Sequence, residues 1–144
     1  MNATELKAFA LFSDLGDGER DELAALVEER DLSVGETLFE QGDEADALVL
    51  VVRGSVDVSS RRSAERVALG AGAMIGALAL FSVGTRETTV VGADASDLLL
   101  LRREEFLRFA EDHPRAAFRI AAAVAAKVAQ HARASLACGD ARIG

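Results

Sequence analysis

Residues 74–90 contain the groups of this chain that are best suited to binding an anion. The stretch leaves a glycine-rich loop, passes through one short apolar turn of predicted helix and reaches a single basic residue, Arg86. The first turn of a helix offers backbone N–H groups that lack partners, and an arginine offers a forked, permanent positive charge. Together these features predict a pocket for a phosphate group.

The chain before this stretch is predicted to form two helices and then a set of strands. Apolar residues at helical spacing predict helices over residues 4–12 and about 18–29. From residue 32 the pattern changes to short strand-like segments between glycine turns, at 37–39, 47–52, 55–59, 88–91 and 97–101. Many short strands separated by glycine turns are typical of a small antiparallel barrel or jelly roll.

The chain after residue 101 is predicted to be helical. Residues 102–109 are amphipathic, and Pro114 fits the first position of a further helix that runs to about residue 136. Many alanines separate the large apolar residues of this last helix, so another helix can approach it closely. Packing on its own barrel and pairing with an identical helix are both compatible with this pattern.

Length and composition favour one globular domain. The chain has 144 residues, of which 50% are hydrophobic, enough for a single core. We expect one domain over residues 1–144, with N-terminal helices at about 1–30, a β-roll at 31–101 and C-terminal helices at 102–144. The net charge of -8 disfavours direct nucleic-acid binding, which depends on clustered Lys and Arg.

The lack of a recognisable targeting signal and the single cysteine favour a cytoplasmic location. The N-terminus lacks the basic segment and apolar run of a signal peptide, and no apolar run is long enough to span a bilayer. A lone cysteine, Cys138, cannot form an internal disulfide and suits a reducing compartment. We therefore expect a cytoplasmic protein with no membrane association.

The order of short motifs along the chain resembles the cyclic-nucleotide-binding domain family. This family provides the sensor module of bacterial catabolite-activator-like regulators, cyclic-nucleotide-dependent kinases and gated channels. The resemblance extends over most of the chain, through Val-Gly-Glu-Thr-Leu at 34–38, Glu-Gln-Gly-Asp at 40–43, Arg-Gly-Ser-Val at 53–56 and Arg-Glu-Glu-Phe at 103–106. It implies an eight-stranded antiparallel jelly roll with flanking helices, here as a stand-alone module.

The same resemblance locates a phosphate-binding cassette. In the family this cassette is Phe-Gly-Glu-Leu-Ala-Leu, followed by a loop and an arginine. Here residues 75–80 are Ile-Gly-Ala-Leu-Ala-Leu, and residues 86–89, Arg-Glu-Thr-Thr, follow the loop. The implied ligand is cAMP, cGMP or another small anion, and its implied contacts are Gly76, Ala77, Leu78, Ala79, Arg86, Glu87 and Thr88.

Two positions depart from the family cassette. The family glutamate that accepts a hydrogen bond from the ribose 2′-hydroxyl is Ala77 here, and a buried hydroxyl without a partner costs about 1–3 kcal/mol. The small residue that usually follows the arginine is Glu87. If Glu87 points into the pocket, it competes with phosphate for Arg86; if it points to solvent, only the first loss applies.

Enzyme chemistry is not expected. The two histidines, His113 and His131, both follow the predicted strands, so they are expected to be solvent residues. A metal-binding cupin of the same jelly-roll shape needs histidines on its strands, and hydroxyl nucleophiles need a nearby base. We therefore expect no catalytic residues, no metal and no cofactor apart from the ligand.

Two hypotheses of different class follow. In the first, the protein is a non-enzymatic regulatory module that senses a cyclic nucleotide or other small anion and signals through its C-terminal helix. In the second, the pocket has degenerated, and the domain serves as a dimerisation or protein-docking module that binds no nucleotide. For Arg86 the corresponding alternatives are a phosphate clamp and a surface arginine paired with Glu87.

Overall fold

The helices lie at both ends of the chain. A computed structural model describes residues 3–137, apart from the side chains of residues 3, 4, 63, 64 and 134–137, so Cys138 lies outside the described residues. Within this range the α-helices are α1 (Ala3–Lys7), α2 (Asp17–Leu26), α3 (Arg103–Asp112) and α4 (Pro114–Ala137). Two 3₁₀ turns are present at Ala10–Phe12 and Ala77–Leu80, and we name the second the cassette turn.

The middle of the chain forms antiparallel strands. They are β1 (Glu28–Leu32), β2 (Thr37–Phe39), β3 (Glu44–Ala45), β4 (Ala47–Arg53), β5 (Ser55–Ser60), β6 (Ser63–Gly70), β7 (Met74–Ile75), β8 (Gly84–Thr85), β9 (Thr89–Gly92) and β10 (Ser96–Arg102). One sheet has the order β1-β10-β4-β7, a second has the order β2-β9-β5-β6, and β3 pairs with β8.

The predicted fold class is confirmed: a mainly β jelly roll with N-terminal helices and a long C-terminal helix. The described residues form ten strands where the resemblance implied eight. Three of the ten, β3, β7 and β8, contain only two residues each. Pairings this short leave no alternating pattern in a sequence.

The prediction of a helix over residues 18–29 placed the end of this helix too late. It ends at Leu26, Val27 has extended backbone angles, and β1 begins at Glu28, so the strands start before residue 31. The first four residues of β1 are exposed and charged, and their backbone pairs with β10 along an outer edge of the sheet. Charged residues suit such an edge because they discourage further strand pairing, but they carry no strand signal.

The hydrophobic core has two parts on either side of β4. Leu48 and Leu50 pack with the helices and with β10, whereas Val49 and Val51 pack with residues of the opposite sheet. All four side chains are at most 1% exposed. The apolar segment predicted to be a strand at residues 47–52 is therefore buried on both of its faces.

The long helix α4 packs on the domain through its first half. Pro114 is its first residue, as predicted, and Ala116, Ile120 and Val124 follow one another at four-residue spacing on its buried face. Phe118 lies on the other face, with 73% of its surface exposed. In the described part of the chain, no helix is long and apolar enough to cross a membrane.

Candidate anion site

The cassette turn begins at a glycine with left-handed backbone angles. Gly76 has φ of 77° and ψ of 37°, a conformation that glycine adopts without steric cost. The amide of Ala79 donates to the Gly76 carbonyl at 3.0 Å. The amides of Ala77 and Leu78 precede this first bond of the turn, as the opening N–H groups of a helix do.

Arg86 is held in place by backbone and side-chain contacts. Its amide donates to the Asp43 carbonyl at 2.7 Å, and its carbonyl accepts from the Gly42 amide at 2.9 Å. Its side chain is buried, its Nη2 donates to the Ala47 carbonyl at 2.8 Å, and its Cζ lies 4.2 Å from the centre of the Phe39 ring. An arginine in that position gains a cation–π contact and has a fixed orientation.

Gly76 and Arg86 pack directly against each other. A Cβ atom placed on Gly76 would lie 2.4 Å from Nη1 of Arg86, closer than two such atoms can approach. Glycine is therefore required at this position both for its backbone angles and for the space that the guanidinium occupies. The turn and the arginine of the cassette form one packed unit.

The Arg86 guanidinium has unused hydrogen-bonding capacity. Its Nε is buried and has no hydrogen-bond partner among the described residues. Burial lowers the pKa of Arg86 from its ordinary value, and the charges of Asp46 and Asp43 oppose that shift. The alternative of a surface arginine paired with Glu87 is wrong, because the side chain is only 8% exposed and bonds to Ala47.

The cassette lines a cavity of about 460 Å³, a size typical of small-molecule sites. All seven residues that the resemblance implied as ligand contacts lie on its wall: Gly76, Ala77, Leu78, Ala79, Arg86, Glu87 and Thr88. Their positions show that the sequence stretch folds into one concave site. Most of the wall is apolar, and Arg86 supplies a buried charge.

Glu87 and Ala77, the two positions that depart from the family cassette, both line this cavity. Glu87 is exposed although it borders the cavity, and the side-chain hydrogen bond of Arg86 goes to the Ala47 carbonyl and not to the Glu87 carboxylate. Ala77 is half-buried, and its methyl side chain cannot accept a hydrogen bond. The cavity wall thus contains a buried arginine, and the position that the resemblance assigned to the sugar contact has no acceptor.

Sequence reasoning missed the residues that reach the cavity from other elements. Phe39 comes from β2, and Val124, Lys127 and Val128 come from α4. No local motif marks these positions, because they meet the cassette only in the folded domain. A ligand in the cavity would therefore lie against both the cassette and the long helix.

Arg103 joins the cassette turn to α3. Its Nη1 donates to the carbonyls of Ala79 at 3.0 Å, Ala45 at 3.1 Å and Ser82 at 3.2 Å. Its backbone amide donates to the Asp46 carbonyl at 2.8 Å. Carbonyls at the end of a helical turn lack partners within the turn, and here one guanidinium satisfies them from the first residue of α3.

The histidines lie away from the cavity wall. His131 is exposed as predicted, whereas His113 is half-buried, stacks on Phe109 with ring centres 4.9 Å apart and contacts Glu22. His113 therefore helps to pack α3 against α2. Among the described residues, no cluster of His, Cys, Asp and Glu is arranged to hold a metal ion.

The sequence matches a known family over the roll and α3. Residues 29–113 match the family model described as the cyclic nucleotide-binding domain. The chain belongs to the cyclic nucleotide-binding domain family. The matched range contains the whole cassette, from the glycine turn to Arg86, and ends before α4.

Individual relatives support the same assignment. The N-terminal domain of a transcriptional regulator from Streptomyces coelicolor A3(2) superimposes with a TM-score of 0.77 at 28% identity, covering 92% of this chain and 94% of that one. The cyclic AMP receptor protein of Thermus thermophilus is 31% identical over 127 residues, which are 85% of this chain and 59% of that protein.

A further relative is much longer than this chain. Glutaminase 1 of Bradyrhizobium diazoefficiens is 34% identical over 117 residues, which are 81% of this chain and 19% of that protein. The chain thus spans less than two thirds of the length of these two curated relatives. What they have in common with it is a domain of the cyclic nucleotide-binding fold.

Proposed function

We propose that the cavity binds a small anion, with a cyclic nucleotide as the first candidate, and that α4 transmits the binding event. The observation that carries this proposal is Arg86, a buried cation on the cavity wall whose Nε has no partner among the described residues. A buried donor left unpaired costs about 1–3 kcal/mol. A phosphate in the cavity would accept charge-assisted bonds from this guanidinium group.

The cavity offers complementary contacts to the two ends of a nucleotide. Arg86 and the opening amides of the cassette turn, at Ala77 and Leu78, bind the phosphate. The apolar wall formed by Val124 and Val128 packs against the base. The name of the Thermus thermophilus relative, a cyclic AMP receptor protein, supports cAMP as the first compound to test.

Signalling follows from the position of α4 on the cavity wall. A ligand that contacts α4 and the cassette together stabilises one arrangement of the two over others, which shifts their populations. We propose that residues 1–144 act as one non-enzymatic regulatory unit in the cytoplasm. Its output is a change in how α4 engages a protein partner or a second copy of the chain.

A second candidate function is supported by Ala77. Without an acceptor at that position, the 2′-hydroxyl of a bound ribose is left unpaired, at a cost of roughly tenfold to a hundredfold in affinity. If the dissociation constant for the nucleotide is then higher than the cellular nucleotide concentration, the site stays empty. In that case the domain acts as a protein-docking or dimerisation module without nucleotide.

Titration calorimetry with cAMP and with cGMP separates the two functions. We expect micromolar binding in the wild type that is lost in Arg86→Ala. Arg86→Lys is expected to retain part of the affinity, because it keeps the charge but loses the forked geometry. Arg66→Ala, which removes an exposed arginine of β6, is the matched control and should bind like the wild type.

Absence of heat at millimolar concentrations of either nucleotide would exclude the cyclic-nucleotide form of the proposal. Titration with inorganic phosphate then tests the broader form. Retention of anion binding in a folded Arg86→Ala variant would show that the site lies elsewhere.

A further inference from the structure

The charge of α4 is opposite in sign to that of the remaining chain. The sequence contains 16 Lys and Arg residues and 24 Asp and Glu residues. Four of the basic residues and none of the acidic ones fall within α4. The long helix α4 therefore has a positive net charge, whereas the rest of the chain is acidic.

Three exposed arginines of α4 lie on one side of the helix. Arg115, Phe118 and Arg119 are exposed neighbours on its first turns. Arg133 follows Arg115 after about five turns of 3.6 residues and so lies on the same side, about 27 Å further along the axis. We call these four residues the basic face; it points away from the buried positions Ala116, Ile120 and Val124 of the same helix.

The arginines of the basic face have no carboxylate partner among the described side chains. Elsewhere in the molecule, Arg53 pairs with Asp97, Arg102 with Glu28 and Arg108 with Glu105. The acid-free sequence of α4 removes the partners that an i,i+4 pair would supply. Phe118, 73% exposed between two of these arginines, is similarly uncovered.

We propose that the basic face is a docking surface for an acidic segment of a partner protein, with Phe118 as its apolar anchor. Arginine binds carboxylates through two parallel bonds, and aromatic residues and arginines dominate the energetics of protein interfaces. Pairing of this face with itself in a symmetric dimer would place like charges together. A long nucleic acid or an anionic membrane would also meet the rest of the chain, which is acidic and repels both.

The probe for the test is a fluorescein-labelled 16-residue peptide of glutamates with leucines at helical spacing. We expect its binding, followed by fluorescence anisotropy, to weaken by at least about tenfold in the double variant Arg115→Glu/Arg119→Glu. Phe118→Ala should weaken it by about threefold or more. The control Arg61→Glu/Arg66→Glu makes the same change in net charge at exposed positions outside α4 and should bind within about twofold of the wild type.

Four outcomes would overturn the proposal. The first is no peptide binding by the wild type, and the second is an equal loss in the control variant. The third is tighter binding, dependent on Arg115 and Arg119, to a 20-base-pair DNA or to vesicles rich in phosphatidylserine. The fourth is wild-type self-association in sedimentation that the double variant abolishes. Peptide binding is measured without nucleotide, and nucleotide binding is measured without peptide, so failure of the anion proposal and failure of this one are distinguishable.

Discussion

Arg20 and Arg86 are both buried arginines, but they are satisfied to different degrees. Arg20 is 6% exposed, its Nη2 donates to Asp17 at 2.6 Å, and its Nη1 donates to the carbonyls of Phe12, Ser13 and Leu15. Arg86 is 8% exposed, has one side-chain hydrogen bond and a ring contact, and leaves Nε without a described partner.

The difference separates a structural arginine from a candidate binding arginine. Arg20 ties the turn after the first 3₁₀ segment to α2 and uses its donors within the protein. Arg86 borders a cavity with a donor still unused. Burial of a charge is therefore a weaker sign of function than burial combined with an unsatisfied donor.

The largest contrast is expected from methionine at each position. Arg20→Met leaves three backbone carbonyls without their donor and should lower the free energy of unfolding by about 2–4 kcal/mol. Arg86→Met removes a buried charge that has one side-chain hydrogen bond and no carboxylate bound to it, so the loss should be smaller, about 1 kcal/mol. Urea denaturation measures both values, and equal losses would mean that Arg86 is a structural residue like Arg20.

Alanine substitutions at two glycines, Gly35 and Gly76, test whether the space beside Arg86 matters for anion binding. Gly35 and Gly76 both have positive φ, but a Cβ on Gly35 meets nothing within 4 Å. Gly35→Ala should cost about 1–2 kcal/mol from backbone strain alone. Gly76→Ala should cost more and also weaken anion binding, because the methyl group displaces the guanidinium. If calorimetry shows equal anion affinity in both variants, the packing of Gly76 on Arg86 has no role in binding.

Restoring the family acceptor tests the incomplete side of the cavity. Ala77→Glu should raise cAMP affinity by about tenfold, since it pairs a hydroxyl that is otherwise unsatisfied. The matched ligand is 2′-deoxy-cAMP, for which the same variant should gain nothing. A gain for both ligands would indicate that the glutamate acts through something other than the 2′-hydroxyl. Because Glu87 is exposed, adding Glu87→Ser should contribute little.

The smallest effect on stability is expected at the exposed ion pair between Arg53 and Asp97. Arg53 donates to Asp97 at 2.7 Å, and this bond lowers the pKa of Asp97 below its ordinary value of 3.8. The stabilisation is therefore present above that value and is lost as pH falls through the lower, folded-state pKa. Asp97→Asn should slightly lower the melting temperature at pH 7, and the difference from wild type should shrink as pH falls through the lowered pKa of Asp97. A difference that persists at acid pH would point to packing instead.

The strands that were predicted from the sequence are those with an apolar face. The strand β1 shows why other strands were not predicted. The apolar sequence of β4 can be recognised because both faces of this strand are buried. In contrast, β1 has charged, exposed side chains and depends on backbone pairing to β10. No pattern of side chains reports such a strand. Its position is set by tertiary pairing.

The candidate site divides in a similar way. The cassette residues could be located from their order, which fixes Gly76 and Arg86 by resemblance. The burial of Arg86 depends on Phe39 and on the turn at Asp43, which meet it only in the folded roll. The orientation of Glu87 and the presence of Lys127 on the cavity wall likewise depend on packing between distant elements.

The contacts of Arg103 give the domain a mechanical property. One nitrogen joins three carbonyls around the cassette turn to the start of α3, so the turn cannot shift without stretching these bonds or carrying α3 along. The next helix, α4, has 24 residues and is about 36 Å long. A tilt of about 5° at its base moves its far end by about 3 Å. If α3 carries α4 with it, a small shift of the cassette turn is enlarged at the far end of α4, as the proposed signalling through this helix requires.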